Sequence, residues 1–107
     1  MTGVRDTHRA MARFMLLMHD DTTEPERGEA WGPYLGQLHA QGVFEGGSSI
    51  AAGSVHRKHG TPARSADHVV GYVIVTADDI DAIGPLLTGN PVYEAGGTVE
   101  VRELIED

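Results

Sequence analysis

Residues 12–19 read ARFMLLMH, a nearly unbroken apolar run that is stopped by Asp20-Asp21-Thr22-Thr23-Glu24-Pro25. Eight residues are far too few to span a bilayer as a helix, but they make a full strand. Side chains alternate along a strand, so one that is apolar at successive positions is apolar on both faces. The segment is therefore expected at the middle of a sheet, with something packed on each side. The rest of a 107-residue chain has to be arranged around it.

Residues 26–41 carry a helical pattern. Trp31, Tyr34, Leu35 and Leu38 recur at spacings of three and four, acidic residues occupy the first turn, and Gly42 supplies a stop. Pro33 confines the regular helix to a start near Gly32. A second strand begins at Val43-Phe44-Glu45 and runs on through 46–52, where Gly46-Gly47 marks a bulge or a close approach to another backbone or a ligand. Residues 53–67 have no period and are expected to form an exposed hairpin connection. The clearest strand is HVVGYVIVT, 68–76, rich in β-branched residues. A second helix is expected over 79–87, capped by Thr76 or Asp78, with Ile80, Ile83, Leu86 and Leu87 at helical spacing. Thr88-Gly89-Asn90-Pro91 ends it, and a last strand covers 98–105. Between them VYEAGG is either an ordinary connector or the wall of a pocket.

The order β-α-β-β-α-β predicts an α+β domain of the ferredoxin-like kind: a four-stranded antiparallel sheet with two helices on one face. That layout leaves the other sheet face bare, whereas the first strand requires both faces covered. A second copy of the chain is the natural cover, so a homodimer is expected. The short chain adds to the case, since a domain of this size buries only about two thirds of its surface unaided.

Charge narrows the partners. Eight Lys+Arg against sixteen Asp+Glu give a formal charge of −8. Nucleic-acid affinity depends on cations that neutralise phosphates, and the one dense basic stretch, His56-Arg57-Lys58-His59, is short and lacks aromatics. Anionic membrane surfaces are disfavoured for the same reason. There is no cysteine, which excludes disulfides, thiolate nucleophiles, zinc ribbons and iron–sulfur clusters. The opening MTGVRDTHRA lacks the apolar core of a signal peptide, so residues 1–11 are expected to be a flexible tail ahead of a single domain, 12–107, in a cytoplasmic protein. EGGSS and AAGS lack the strand and helix context of a nucleotide-binding loop, and no cofactor is expected.

His19 ends the first strand beside Asp20 and Asp21 and is the first choice for an acid/base residue. The competing reading is a solvated strand terminus. His68, next to Asp67, faces the same choice, and His39 falls on the polar side of the first helix. His56 and His59 are three apart, a ligand spacing on a helical turn, but Arg57 and Lys58 lie between them in a loop and no metal is expected. Glu100 and Arg102 share one face of the last strand, where they either line a polar cavity or keep an edge strand soluble. Trp31, Tyr34 and Tyr72 are candidates for the aromatic walls of a ligand site, or simply core.

RFMLLMHDD, AWGPYLGQLHAQGVFEGG, VVGYVIVTADDIDAIGPLL and GNPVYEAGGTVEV, in this order and spacing, resemble the YCII-related family over most of residues 12–105. The DGPF tetrapeptide of one of its subgroups is absent; the corresponding hairpin reads HRKHGTPARSADH. The resemblance implies a dimeric α+β-barrel assembly with a pocket between sheet and helices near the subunit junction. In some members it also implies a His on the first helix working with an Asp just before the family's Pro. The matching positions here carry Trp31 and Asn90, so that acid/base pair is missing. Three functions stay open: acid/base conversion of a small metabolite without a cofactor, with His19 acting and Trp31, Tyr34, Tyr72, Asn90, Glu100 and Arg102 shaping the pocket; non-catalytic binding of such a ligand; or a monooxygenase-like activity on the same topology.

Overall fold

In a computed structural model, which describes residues 11–106, four strands form one antiparallel sheet. They are β1 (Ala12–His19), β2 (Phe44–Ser49), β3 (Val69–Ala77) and β4 (Val99–Leu104), in the spatial order β2-β3-β1-β4. This is the expected ferredoxin-like arrangement of an α+β domain. Of the expected tail, residues 1–10 lie outside the described residues.

The apolar run at 12–19 is a central strand, hydrogen-bonded on both sides: Leu16 pairs with Val73 of β3 and with Val101 of β4. Its pleat sorts the side chains. Phe14, Leu16 and Met18 are buried against the helical layer together with Val73, Val75 and Ala77 of β3. Met15, Leu17 and His19 alternate with them on the other face, which the chain's own helices leave open, and are half-buried. The neighbours of Met15 and Leu17 across the ladders are Ile74 and Tyr72 of β3 and Arg102 and Glu100 of β4.

Proline shapes both segments of the helical layer: it sets the start of the first helix as expected, and it makes the second depart from the regular helix that was expected. Regular α-helix, α1, covers only Trp31–Ala40, preceded by a 3-10 turn at Gly28–Ala30. Pro33 has no N–H to give to an earlier turn, so the regular helix starts at Trp31, within one residue of the expected start near Gly32. Tyr34 and Leu38 of its stripe are fully buried, whereas Trp31 and Leu35 pack at the margin. The end is as anticipated: Gly42 at φ 74° donates to His39 O, and Val43 N donates to Leu38 O at 3.1 Å, the paired bonds of a Schellman stop. The second helix, Ile80–Leu87, is 3-10 rather than α because Pro85 lies inside it. Its cap is Asp79, whose side chain accepts from Ala82 N, and neither Asp78 nor Thr76. Ile83 and Leu86 still reach the core, and the buried Tyr34 hydroxyl donates to Leu86 O at 2.8 Å, tying the two helical segments together. Burial pushes the Tyr34 phenol pKa up.

The bulge foreseen at the double glycine is present: pairing slips between Phe44 and Gly46, and Gly46 takes φ 145°. Strand β2 stops at Ser49, short of the expected residue 52, and the connection from 50 to 68 is mostly exposed and without regular structure. VYEAGG is more than a connector. Pro91–Glu94 forms one helical turn, α2, with Pro in its first position and Asn90 as its cap. Beyond it Gly96 and Gly97 let the chain pass the end of β1: a Cβ on Gly96 would collide with Thr23, and one on Gly97 with Thr22 and Val92. There Thr23 N and Glu24 N both donate to Ala95 O.

Asn90 has no exposed surface. Its Oδ1 accepts from the amides of Val92 (3.0 Å) and Tyr93 (3.1 Å), and its Nδ2 reaches Met18 Sδ at 3.9 Å. Removing that side chain unsatisfies two amides in the interior. Asn90→Ala is therefore expected to cost about 2 kcal/mol, read as a lower midpoint in urea with an unchanged slope.

Candidate functional site

Two places in the fold gather the residue types that chemistry needs, and the sheet separates them. The first is a cleft of about 460 Å³ between the start of α1 and the β2–β3 side of the sheet. Trp31 and Leu35 form one wall; Met18, Phe44, Val73 and Val92 contribute apolar surface; β2 and β3 form the floor. The depth comes from missing side chains. Gly47, Ser49 and Gly71 occupy the helix-facing side of β2 and β3, opposite Val73 and one another. At Gly47 a Cβ would lie 2.6 Å from Tyr72 O and 3.2 Å from Val73 Cα, both backbone atoms that cannot yield cheaply. Glycine is thus required where β2 approaches β3 in the floor of the cleft.

At the rim, Trp31 Nε1 donates to Glu26 Oε2 at 2.6 Å. The indole also meets the Tyr34 ring edge-to-face, with centroids 5.9 Å apart, so two contacts fix its orientation. Tyr72 borders the cleft, but the pairing of Tyr72 with Leu17 and Ser48 turns its ring to the opposite face, and it lines the floor through its backbone. Tyr34 and Asn90 lie beneath the lining rather than in it, Asn90 directly behind Met18.

The second place is on the open face, at the β1–β4 ladder. His19 Nε2 and Glu100 Oε1 are 2.8 Å apart, and Arg102 Nη1 donates to Glu100 Oε2 at 3.1 Å. The His68 ring stands edge-on to His19 at 4.9 Å. Hydrogen bonding from His19, then from Arg102, holds the Glu100 carboxyl below the usual carboxylate pKa. Nearby, Asp21 accepts from Thr98 Oγ1 (2.6 Å) and Thr98 N (2.7 Å), which lowers its pKa and fastens the end of β1 to β4.

The candidate residues from the sequence thus divide. Trp31 and Tyr72 border the cleft, Tyr34 and Asn90 support it from the core, and His19, Glu100 and Arg102 form a hydrogen-bonded group on the other side of the sheet. The hairpin histidines are exposed, with His56 on Ser54 Oγ; among the described residues no group of three or more His, Cys, Asp or Glu is placed to hold a metal ion. His39 is exposed and packs on the Phe44 ring. Sequence reading missed Met18, Glu26, Leu35, Phe44 and Gly47 as lining. Only the glycine pair carries a signal, as a close approach to another backbone or a ligand.

The model of the YCII-related domain matches residues 12–106 of the chain. No curated protein and no solved structure matches it significantly. Among the described residues no helix is long and apolar enough to cross a membrane.

The Glu100 cluster predicts a sign for acid stability. A carboxyl whose folded pKa is depressed binds fewer protons when folded than when unfolded, so its stabilisation is complete above the ordinary value of 4.5 and is lost as pH falls through the folded value. Glu100→Gln should therefore flatten the decline of Tm below pH 4.5 relative to the unmodified chain, as followed by circular dichroism. Parallel declines for the two proteins would contradict the contribution.

Proposed function

Because the chain belongs to the YCII-related family, we propose that it binds a small metabolite in the cleft between α1 and the β2–β3 side of the sheet. The observation that carries the reading is the cleft itself: apolar walls, a floor cleared by glycine and an indole held by two contacts. Its volume falls in the range of small-ligand sites. No histidine lines it, and Trp31 and Asn90 stand where the family resemblance implies a His/Asp pair. Those substitutions favour binding over acid/base turnover at this cleft.

A second reading rests on a separate observation, the hydrogen-bonded His19–Glu100–Arg102 group. An imidazole oriented by a carboxylate is the minimal equipment of a general acid/base. That group needs shelter from bulk water to act, and a second copy packed on the open face would give it. Met15, Leu17, Tyr72 and Ile74 there are only half-buried, which supports a homodimer through this face. Substituting Ile74→Glu should convert a sedimenting dimer into a monomer; an unmodified chain that sediments as a monomer would remove this reading.

The primary reading has a direct probe, since Trp31 is the only tryptophan. A metabolite mixture that contains the ligand should shift its emission, and mass spectrometry of the retained fraction should identify the compound. Leu35→Phe, which thickens the wall that Leu35 shares with Trp31, should weaken that binding roughly tenfold or more. Retention unaffected by that change would place the ligand elsewhere.

A further inference from the structure

The charge and polarity of the cleft lining narrow what it can accept. Of its side chains only Glu26 bears a formal charge, and the other ionisable residue on its border, Tyr72, directs its ring to the opposite face. The Glu26 carboxylate accepts the Trp31 indole N–H through Oε2. Its other oxygen has no hydrogen bond or salt bridge to any described residue, and the nearest cation in sequence, Arg27, is paired with Glu29. A full negative charge thus stands at the rim, at the N–H edge of the indole, above walls made by Met18, Leu35 and Phe44.

We propose that the cleft selects an organic cation, an ammonium group on a compact apolar body. The head would lie against the Glu26 carboxylate and the Trp31 ring, and the body over Met18, Leu35 and Phe44. Carboxylate and aromatic face attract a cation together, and the ring does so with little desolvation cost. The chain's formal charge of −8 draws the same class of ligand toward the surface and repels anions.

One feature pulls the other way: the cleft borders the start of α1, and helix N-termini favour anions. Here that preference is weak. Trp31 N already donates to Gly28 O, and Pro33 has no N–H to offer. A full charge on Glu26 outweighs the fractional charge that remains. The inference rests on the cleft being the ligand site, and the test separates the two.

Hexylamine, hexan-1-ol and hexanoate share one apolar chain and differ only in charge, and none absorbs where Trp31 is excited. Titrated at pH 7 and followed by Trp31 emission, hexylammonium should bind about tenfold more tightly than the alcohol, with hexanoate weakest. Raising salt to 0.5 M should weaken the amine alone. Glu26→Gln keeps an acceptor for the Trp31 N–H and removes only the charge, so it should bring the amine to the alcohol's affinity. Equal binding of all three, or a preference for the amine that survives Glu26→Gln, would overturn the cation inference and leave the cleft reading standing. Binding of none, with no shift in Trp31 emission up to the solubility limit, would overturn both.

Discussion

The alternation of β1 is the constraint on which the rest of the structure depends. The strand is hydrogen-bonded on both sides, so it cannot rotate or slip without breaking two ladders. Met18 consequently points to the helical layer, where it borders the cleft and touches Asn90, and His19, the next residue, points to the open face and meets Glu100. Adjacent residues thus serve two different environments. No rearrangement short of a one-residue register shift, which would expose Phe14 and Leu16, could bring His19 into the cleft.

Around that strand the helical layer is held by a few specific polar contacts. Tyr34 hydroxyl to Leu86 O links α1 to the 3-10 helix, and Asn90 caps α2 from a fully buried position. Both are satisfied interior groups, costly to leave unpaired, and so they specify where each helical segment sits. The Asn90 side chain is occupied on both its ends, by two amides and a thioether. Its position one residue before Pro91 is therefore a structural post in this chain.

The strands were legible because β-branched and alternating apolar residues act locally: β1 was read to the residue and β3 within one residue of each end. The Schellman stop at Gly42 and the bulge at Gly46 were legible for the same reason, since each follows from the backbone freedom of a single glycine. Helix type was harder. Ile80, Ile83, Leu86 and Leu87 have helical spacing, yet that spacing does not separate an α from a 3-10 helix when Pro85 removes a donor in the middle. The single turn at Pro91–Glu94 is too short to carry any period, and only its cap and leading proline betray it.

Sequence by itself determined the order of elements, the α+β class, the membership of a family and the absence of thiol chemistry, because these follow from local patterning and composition. The tertiary structure decided which candidates share a site. Trp31, Met18 and Gly47 are far apart in the chain and meet only when α1 crosses the sheet, while His19 and Glu100, 81 residues apart, meet only when β4 pairs with β1. A cleft is also made by what is absent. The space over Gly47 and Gly71 exists because two strands place these residues diagonally on one face, Gly47 opposite Val73 and Gly71 opposite Ser49, a coincidence of register that no single segment encodes.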